Sequence, residues 1–144
     1  MKFSRGMAVV GVAAALATAA FAAPASASAD PSIYIRNYET GLHLDASETK
    51  GVRLGECCST FQVWLEIGSK IEQVQSGLCL DGSATKGVRL NACNGSAYQQ
   101  WTWSKDSDAI VHRGTGLCLD GSVSKGVRLV GCNGRTYQMW TRQS

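Results

Sequence analysis

The chain has little net charge, only two histidines and no sustained helical periodicity, and each shortage excludes something. Fourteen Lys and Arg stand against eleven Asp and Glu in 144 residues. Setting Lys2 and Arg5 aside leaves 12 basic and 11 acidic side chains in residues 30–144, a net of +1. Such a balance points to neither nucleic acid nor an anionic membrane as partner. The histidines, His43 and His112, sit at unrelated positions, and no serine or cysteine has a convincing neighbouring base in sequence. A nucleophile needs such a base, so an enzyme is not expected. No segment keeps a 3.6-residue apolar period, which predicts a nearly all-β fold.

A long, strongly apolar run is also missing. Lys2 and Arg5 precede an Ala/Val-rich stretch from about Met7 to Ala23, and Ala27-Ser28-Ala29 offers the small residues of a signal-peptidase site. The stretch is short and Ala-rich for a spanning helix, which needs about 20 strongly apolar residues. Residues 1–29 read as a secretory signal peptide, with no membrane insertion. Residues 30–144 amount to one domain. All six cysteines fall there, and export makes disulfides chemically reasonable.

What is present is repetition. Gly41-Leu42-His43-Leu44-Asp45, Lys50-Gly51-Val52-Arg53-Leu54 and Gln62-Val63-Trp64 form one copy. The second runs Gly77-Leu78-Cys79-Leu80-Asp81, Lys86-Gly87-Val88-Arg89-Leu90 and Gln99-Gln100-Trp101. The third runs Gly116-Leu117-Cys118-Leu119-Asp120, Lys125-Gly126-Val127-Arg128-Leu129 and Gln138-Met139-Trp140. The period is about 38 residues, with repeats at about 30–67, 68–105 and 106–144, so any surface site is offered in up to three copies. Alternating segments such as Ile33-Tyr34-Ile35-Arg36 and Val52-Arg53-Leu54 predict short strands, with the Gln-x-Trp on the third strand of each unit. About four strands per copy give about twelve in all. Leu44, Leu80, Leu119, Val52, Val88, Val127, Trp64, Trp101 and Trp140 are the predicted shared core.

Cys79 and Cys93, and Cys118 and Cys132, occupy equivalent places, which predicts one disulfide within each of those repeats. In the first copy His43 replaces the first cysteine, leaving Cys57 beside Cys58. A bond between these neighbours, free thiols and a link between two molecules all remain open, with the neighbour bond favoured. His43 with the two cysteines would make a poor zinc site, so no metal and no cofactor are expected.

A Leu-Asp step, a cysteine twelve residues later and then Gln-x-Trp, three times in register, resembles the ricin B-chain-type β-trefoil lectins. The resemblance covers residues 30–144. It implies an all-β trefoil of pseudo-three-fold symmetry and a stand-alone, multivalent binder of a glycan or polysaccharide. It also implies one pocket per repeat. Asp45, Asp81 and Asp120 would accept sugar hydroxyls, Asn94 and Asn133 would supply amides, and Phe61, Tyr98 and Tyr137 would cover the sugar's apolar face. The same aspartates could instead be structural turn residues.

The sequence departs from that family in one respect. Eight residues after the Asp, where mannose-binding members have a tyrosine, stand Arg53, Arg89 and Arg128, and two residues further stand Gly55, Asn91 and Val130. Either the arginines grip an anionic glycan in a forked geometry, or each pairs with the Asp of its own repeat. Lys50, Lys86 and Lys125 recur beside them. The first copy lacks the asparagine and one residue between Cys57 and Gln62, so Asp45 and Arg53 are expected to form a weak or dead site. The rival class is a protein-binding trefoil, such as an inhibitor of a secreted enzyme, that has lost sugar binding. Oligomeric state is open.

Overall fold

The computed structural model describes residues 11–23 and 31–144. Residues 11–23 are exposed and carry no regular secondary structure. The basic start at Lys2 and Arg5 and the motif Ala27-Ser28-Ala29 lie outside the described residues. Among the described residues no helix is long and apolar enough to cross a membrane.

Among the described residues, twelve strands follow in three groups of four. The first group is β1 (Ser32–Asn37), β2 (His43–Ser47), β3 (Gly51–Gly55) and β4 (Val63–Ile67). The second is β5 (Lys70–Gln73), β6 (Cys79–Ser83), β7 (Gly87–Asn91) and β8 (Trp101–Trp103). The third is β9 (Ile110–His112), β10 (Cys118–Ser122), β11 (Gly126–Val130) and β12 (Trp140–Gln143). The tryptophan of Gln-x-Trp thus opens the fourth strand of its repeat in copies two and three, not the third as expected, and in copy one it is the second residue of that strand. Its glutamine sits in a preceding single 3₁₀ turn: Thr60–Gln62, Ala97–Gln99 or Thr136–Gln138. The turn aims the amide back at the repeat's own hairpin while the tryptophan, two residues on, enters the core.

Strand pairing repeats with the sequence. β1 pairs antiparallel with β4 and β12, β4 with β5, and β8 with β9. Backbone bonds from Trp101 N to Ser69 O (2.8 Å) and from Trp140 N to Asp108 O (3.0 Å) tie the two ends of repeats 2 and 3 together, as the β1–β4 pairing does in repeat 1. The hairpins β2–β3, β6–β7 and β10–β11 share one register, in which Asp45 faces Arg53, Asp81 faces Arg89 and Asp120 faces Arg128. The recurring Lys-Gly closes each hairpin. Gly126 has φ +70°, a left-handed conformation that favours glycine, and Ser122 Oγ accepts from the Lys125 N–H at 2.9 Å.

The three repeats bury one core. Leu44, Leu80, Leu119, Trp64, Trp101 and Trp140 are buried in it with Ile35, Ile71 and Ile110. Val52, Val88 and Val127 are only partly buried, because the hairpins that carry them close the end of the core. Each tryptophan places its indole N–H on a main-chain carbonyl of its own hairpin: Trp64 to Leu44 O (3.0 Å), Trp101 to Leu80 O (2.9 Å) and Trp140 to Leu119 O (3.0 Å). A bulky apolar body is buried without stranding its polar atom. The result is the β-trefoil.

A second recurring contact locks repeat to repeat. Asn37, Gln73 and His112 are buried at equivalent strand ends. Each bonds the carbonyl of the aromatic residue that closes the preceding copy: Asn37 to Tyr137 O (3.0 Å), Gln73 to Phe61 O (2.8 Å) and His112 to Tyr98 O (2.8 Å). A carbonyl only accepts, so His112 carries its proton on Nε2 there, and its Nδ1 meets Thr115 Oγ1 at 2.8 Å. His112 is thus a satisfied structural histidine.

Candidate functional site

The hairpin register decides what each recurring Asp and Arg can do. Being directly opposite, they meet as ion pairs: Arg53–Asp45 at 2.7 Å, Arg89–Asp81 at 3.1 Å and Arg128–Asp120 at 3.1 Å. The aspartate side chains are 5%, 2% and 5% exposed, the arginines 35%, 37% and 39%. The second carboxylate oxygen accepts from the glutamine of Gln-x-Trp. Gln62 reaches Asp45 at 3.0 Å, Gln99 reaches Asp81 at 3.1 Å and Gln138 reaches Asp120 at 3.3 Å. Each glutamine also donates to a loop carbonyl, that of Glu56, Ala92 or Gly131. Three clamps of identical design therefore tie hairpin, loop and 3₁₀ turn together. The arginine covers each carboxylate on the solvent side. Arg128 Nε donates to Asp120 Oδ1 at 3.1 Å, whereas Asp45 Oδ1 and Asp81 Oδ1 have the ion-pair contact but accept no hydrogen bond among the described residues.

In repeats 2 and 3 a cavity lies over the clamp. In repeat 3 a cavity of about 250 Å³ is lined by Asp120, Arg128, Asn133 and Tyr137, joined by Ser122, Ser124, Lys125, Val130 and Arg135. In repeat 2 a cavity of about 230 Å³ is lined by Arg89 and Tyr98 with Ser83, Thr85 and Lys86. Asp81, Asn91 and Asn94 lie outside that lining. Asn91 Oδ1 accepts from the Ala92 N–H, and Asn94 Oδ1 accepts from the Ser96 N–H, as Asn133 Oδ1 does from the Arg135 N–H. These turns leave the Nδ2 donors of Asn94 and Asn133 without a partner among the described residues. In repeat 1 the cavity lies on the far side of the aromatic, about 310 Å³ among Glu48, Thr49, Phe61 and Gln75. Asp45 and Arg53 do not line it. Repeat 3 has the counterpart of that far-side cavity too. It holds about 390 Å³ between Glu39, Thr40 and Val123 and shares Ser122, Ser124 and Tyr137 with the first.

The aromatic walls have a divided role. Phe61, Tyr98 and Tyr137 are 40%, 52% and 40% exposed. Their main-chain carbonyls carry the lock between repeats. The Tyr98 ring stacks on His112 at 6.4 Å between centroids, and all three rings keep an exposed part for contact.

Sequence reasoning missed Arg135, Ser122 and Ser124. The two serines stand at the turn of the hairpin, where they read as loop residues. Arg135 immediately precedes the 3₁₀ turn, where Ser59 and Ser96 stand in the other copies. A search for identities between copies passes over a residue that distinguishes one copy from the rest.

The expected disulfides Cys79–Cys93 and Cys118–Cys132 are both formed, each with Cα atoms 5.0 Å apart. Cys57 and Cys58 are joined to each other, and no free cysteine remains. His43 does not turn to them; its Nε2 donates to Gln143 Oε1 at 2.9 Å. Glu72 lies beside Cys79 and Cys93, but the sulfurs are spent on one another.

The family model for the ricin-type β-trefoil lectin domain matches residues 31–140. No curated protein matches the sequence. Among solved structures, the chain is similar to the designed three-fold symmetric protein ThreeFoil, with 21% identity, a TM-score of 0.70 and coverage of 80% of this chain and 99% of that one. A bitter gourd (Momordica charantia) homologue of type II RIPs, in complex with α-methyl-D-galactoside, shares 22% identity at a TM-score of 0.69, over 77% of this chain and 47% of that one. A Polyporus squamosus lectin bound to Neu5Acα2-6Galβ1-4GlcNAc shares 22% identity at a TM-score of 0.66, over 78% of this chain and 48% of that one. The chain spans about half the length of these last two, and the likeness concerns the fold.

Proposed function

The chain belongs to the ricin-type β-trefoil lectin domain family, and from that premise we propose that it is a secreted, non-catalytic lectin that binds glycan at repeats 2 and 3. The observation that carries the reading is the repeat 3 cavity, where an arginine, an amide and an exposed tyrosine converge. A sugar offers paired hydroxyls and a C–H face, and this set offers donors for the first and a ring for the second. Asp81 and Asp120 act by orienting Arg89 and Arg128. Tyr98 and Tyr137 form the walls, and Asn94 and Asn133 supply amide donors at the rim. Repeat 1 is the weakest copy, since Cys58 stands where the amide should be. In its repeat openings and endings the chain resembles actinohivin, a mannose-binding three-repeat lectin; the arginines predict a different sugar. Two modest sites on one small domain would engage a polymer together and gain by avidity.

The buried, ion-paired carboxylates favour a second reading, a protein-binding trefoil that has lost sugar binding. A glycan array separates the two. Signal on a defined glycan class that falls in a folded Tyr98→Ala/Tyr137→Ala variant supports the lectin. A blank array from folded protein moves the search to protein partners.

A further inference from the structure

Resting on the glycan-binding reading and deepening it, we infer that the repeat 3 site selects an anionic sugar residue, and that Lys125 and Arg135, not Arg128, supply the charge. The three Asp–Arg pairs cancel inside their own hairpins. What remains differs between copies. The repeat 3 cavity is lined by Lys125, Arg128 and Arg135 against Asp120 alone, three cations minus one anion, or +2. Lys125 and Arg135 have no salt-bridge partner among the described residues. Their main-chain nitrogens are fixed by Ser122 Oγ and Asn133 Oδ1, so the backbone is held while the charged ends stay free. In repeat 2 only Lys86 is left once Asp81 cancels Arg89, and Ser96 stands where repeat 3 has Arg135. In repeat 1 Ser59 takes that place, and no cavity lined by Asp45 and Arg53 is found among the described residues. Repeat 3 is thus more cationic than repeat 2, and Arg135 makes the difference.

A guanidinium fork beside an ammonium suits a planar carboxylate or a sulfate on the sugar ring. Asn133 adds a neutral donor, and Tyr137 the wall. Beyond Tyr137 the adjoining cavity is bordered by Glu39, so the preference for charge is confined to one sugar residue.

The test measures binding of purified protein to polygalacturonate and to its fully methyl-esterified form, and to dextran sulfate and dextran, by biolayer interferometry at low and high salt. Wild type is expected to prefer a charged member, and the preference to shrink at high salt. Arg135→Ser is expected to weaken charged binding about fivefold, the scale of one exposed charge contact, and Ser96→Arg to strengthen it. The polyuronate and sulfate arms tell which oxyanion fits. If charged and neutral polymers bind alike, or the preference survives Lys125→Ser/Arg135→Ser, the inference is overturned and the lectin reading stands. If the folded protein binds none of the four polymers nor any glycan on a neutral array, both fall.

Discussion

Replacing Arg128 with alanine removes the ion-pair partner of Asp120 and leaves the carboxylate where it was, in a side chain 5% exposed. Its remaining donor is the Gln138 amide at 3.3 Å. Breaking a fully buried pair costs about 3–5 kcal/mol. Arg128 is 39% exposed, so water screens the pair and the expected loss falls to about 1–2 kcal/mol. Asp120→Ala should cost less, about 1 kcal/mol, for two reasons. The freed guanidinium rehydrates through its exposed face, and Gln138 keeps its bond to Gly131 O at 3.1 Å. The double variant should therefore be no less stable than Arg128→Ala alone, a coupling of about 1 kcal/mol. Urea denaturation of the four proteins, disulfides intact, reads these values directly. Single variants within about 0.3 kcal/mol of wild type, adding independently, would refute the clamp and leave the carboxylate available to a ligand.

Three further outcomes follow from the packing. Trp140→Ala empties a fully buried site and drops the bond to Leu119 O, at a cost of about 3–5 kcal/mol; thermal melts should show a large fall in Tm. Cys118→Ser/Cys132→Ser opens a loop of 14 residues and should cost about 3 kcal/mol, whereas Cys57→Ser/Cys58→Ser, which opens no loop, should cost well under that in the same denaturation assay. Gly126→Ala forces a side chain into φ +70° and should lower stability by about 1 kcal/mol, while Gly131→Ala, which has no positive φ and open space around it, should not.

Much of this fold was legible because the same residues recur for the same physical reasons. Leu80 and Trp101 read as core from their apolar character and register, and both are buried. The cysteine spacing foretold the two long-loop disulfides. The Asp–Arg relation was visible as an eight-residue offset, and the choice between two readings of it needed the hairpin register, which sets the two residues face to face. Other features were illegible for equally physical reasons. Asn37, Gln73 and His112 do one job with three different side chains, so no repeat comparison aligns them. The 3₁₀ turn before each tryptophan leaves no apolar period. Arg135 became visible only when the turn brought it to the cavity that Lys125 borders.

The central claim is that the free faces of repeats 2 and 3 hold a glycan while the carboxylates beneath hold the fold. A glycan array with wild type, Tyr98→Ala/Tyr137→Ala and Asp81→Ala/Asp120→Ala, each checked by circular dichroism and urea denaturation, tests both halves at once. The account predicts that the tyrosine variant keeps its stability and loses most of its signal, whereas the aspartate variant loses stability. A tyrosine variant that binds as wild type, or an aspartate variant of unchanged stability with no binding, would contradict it.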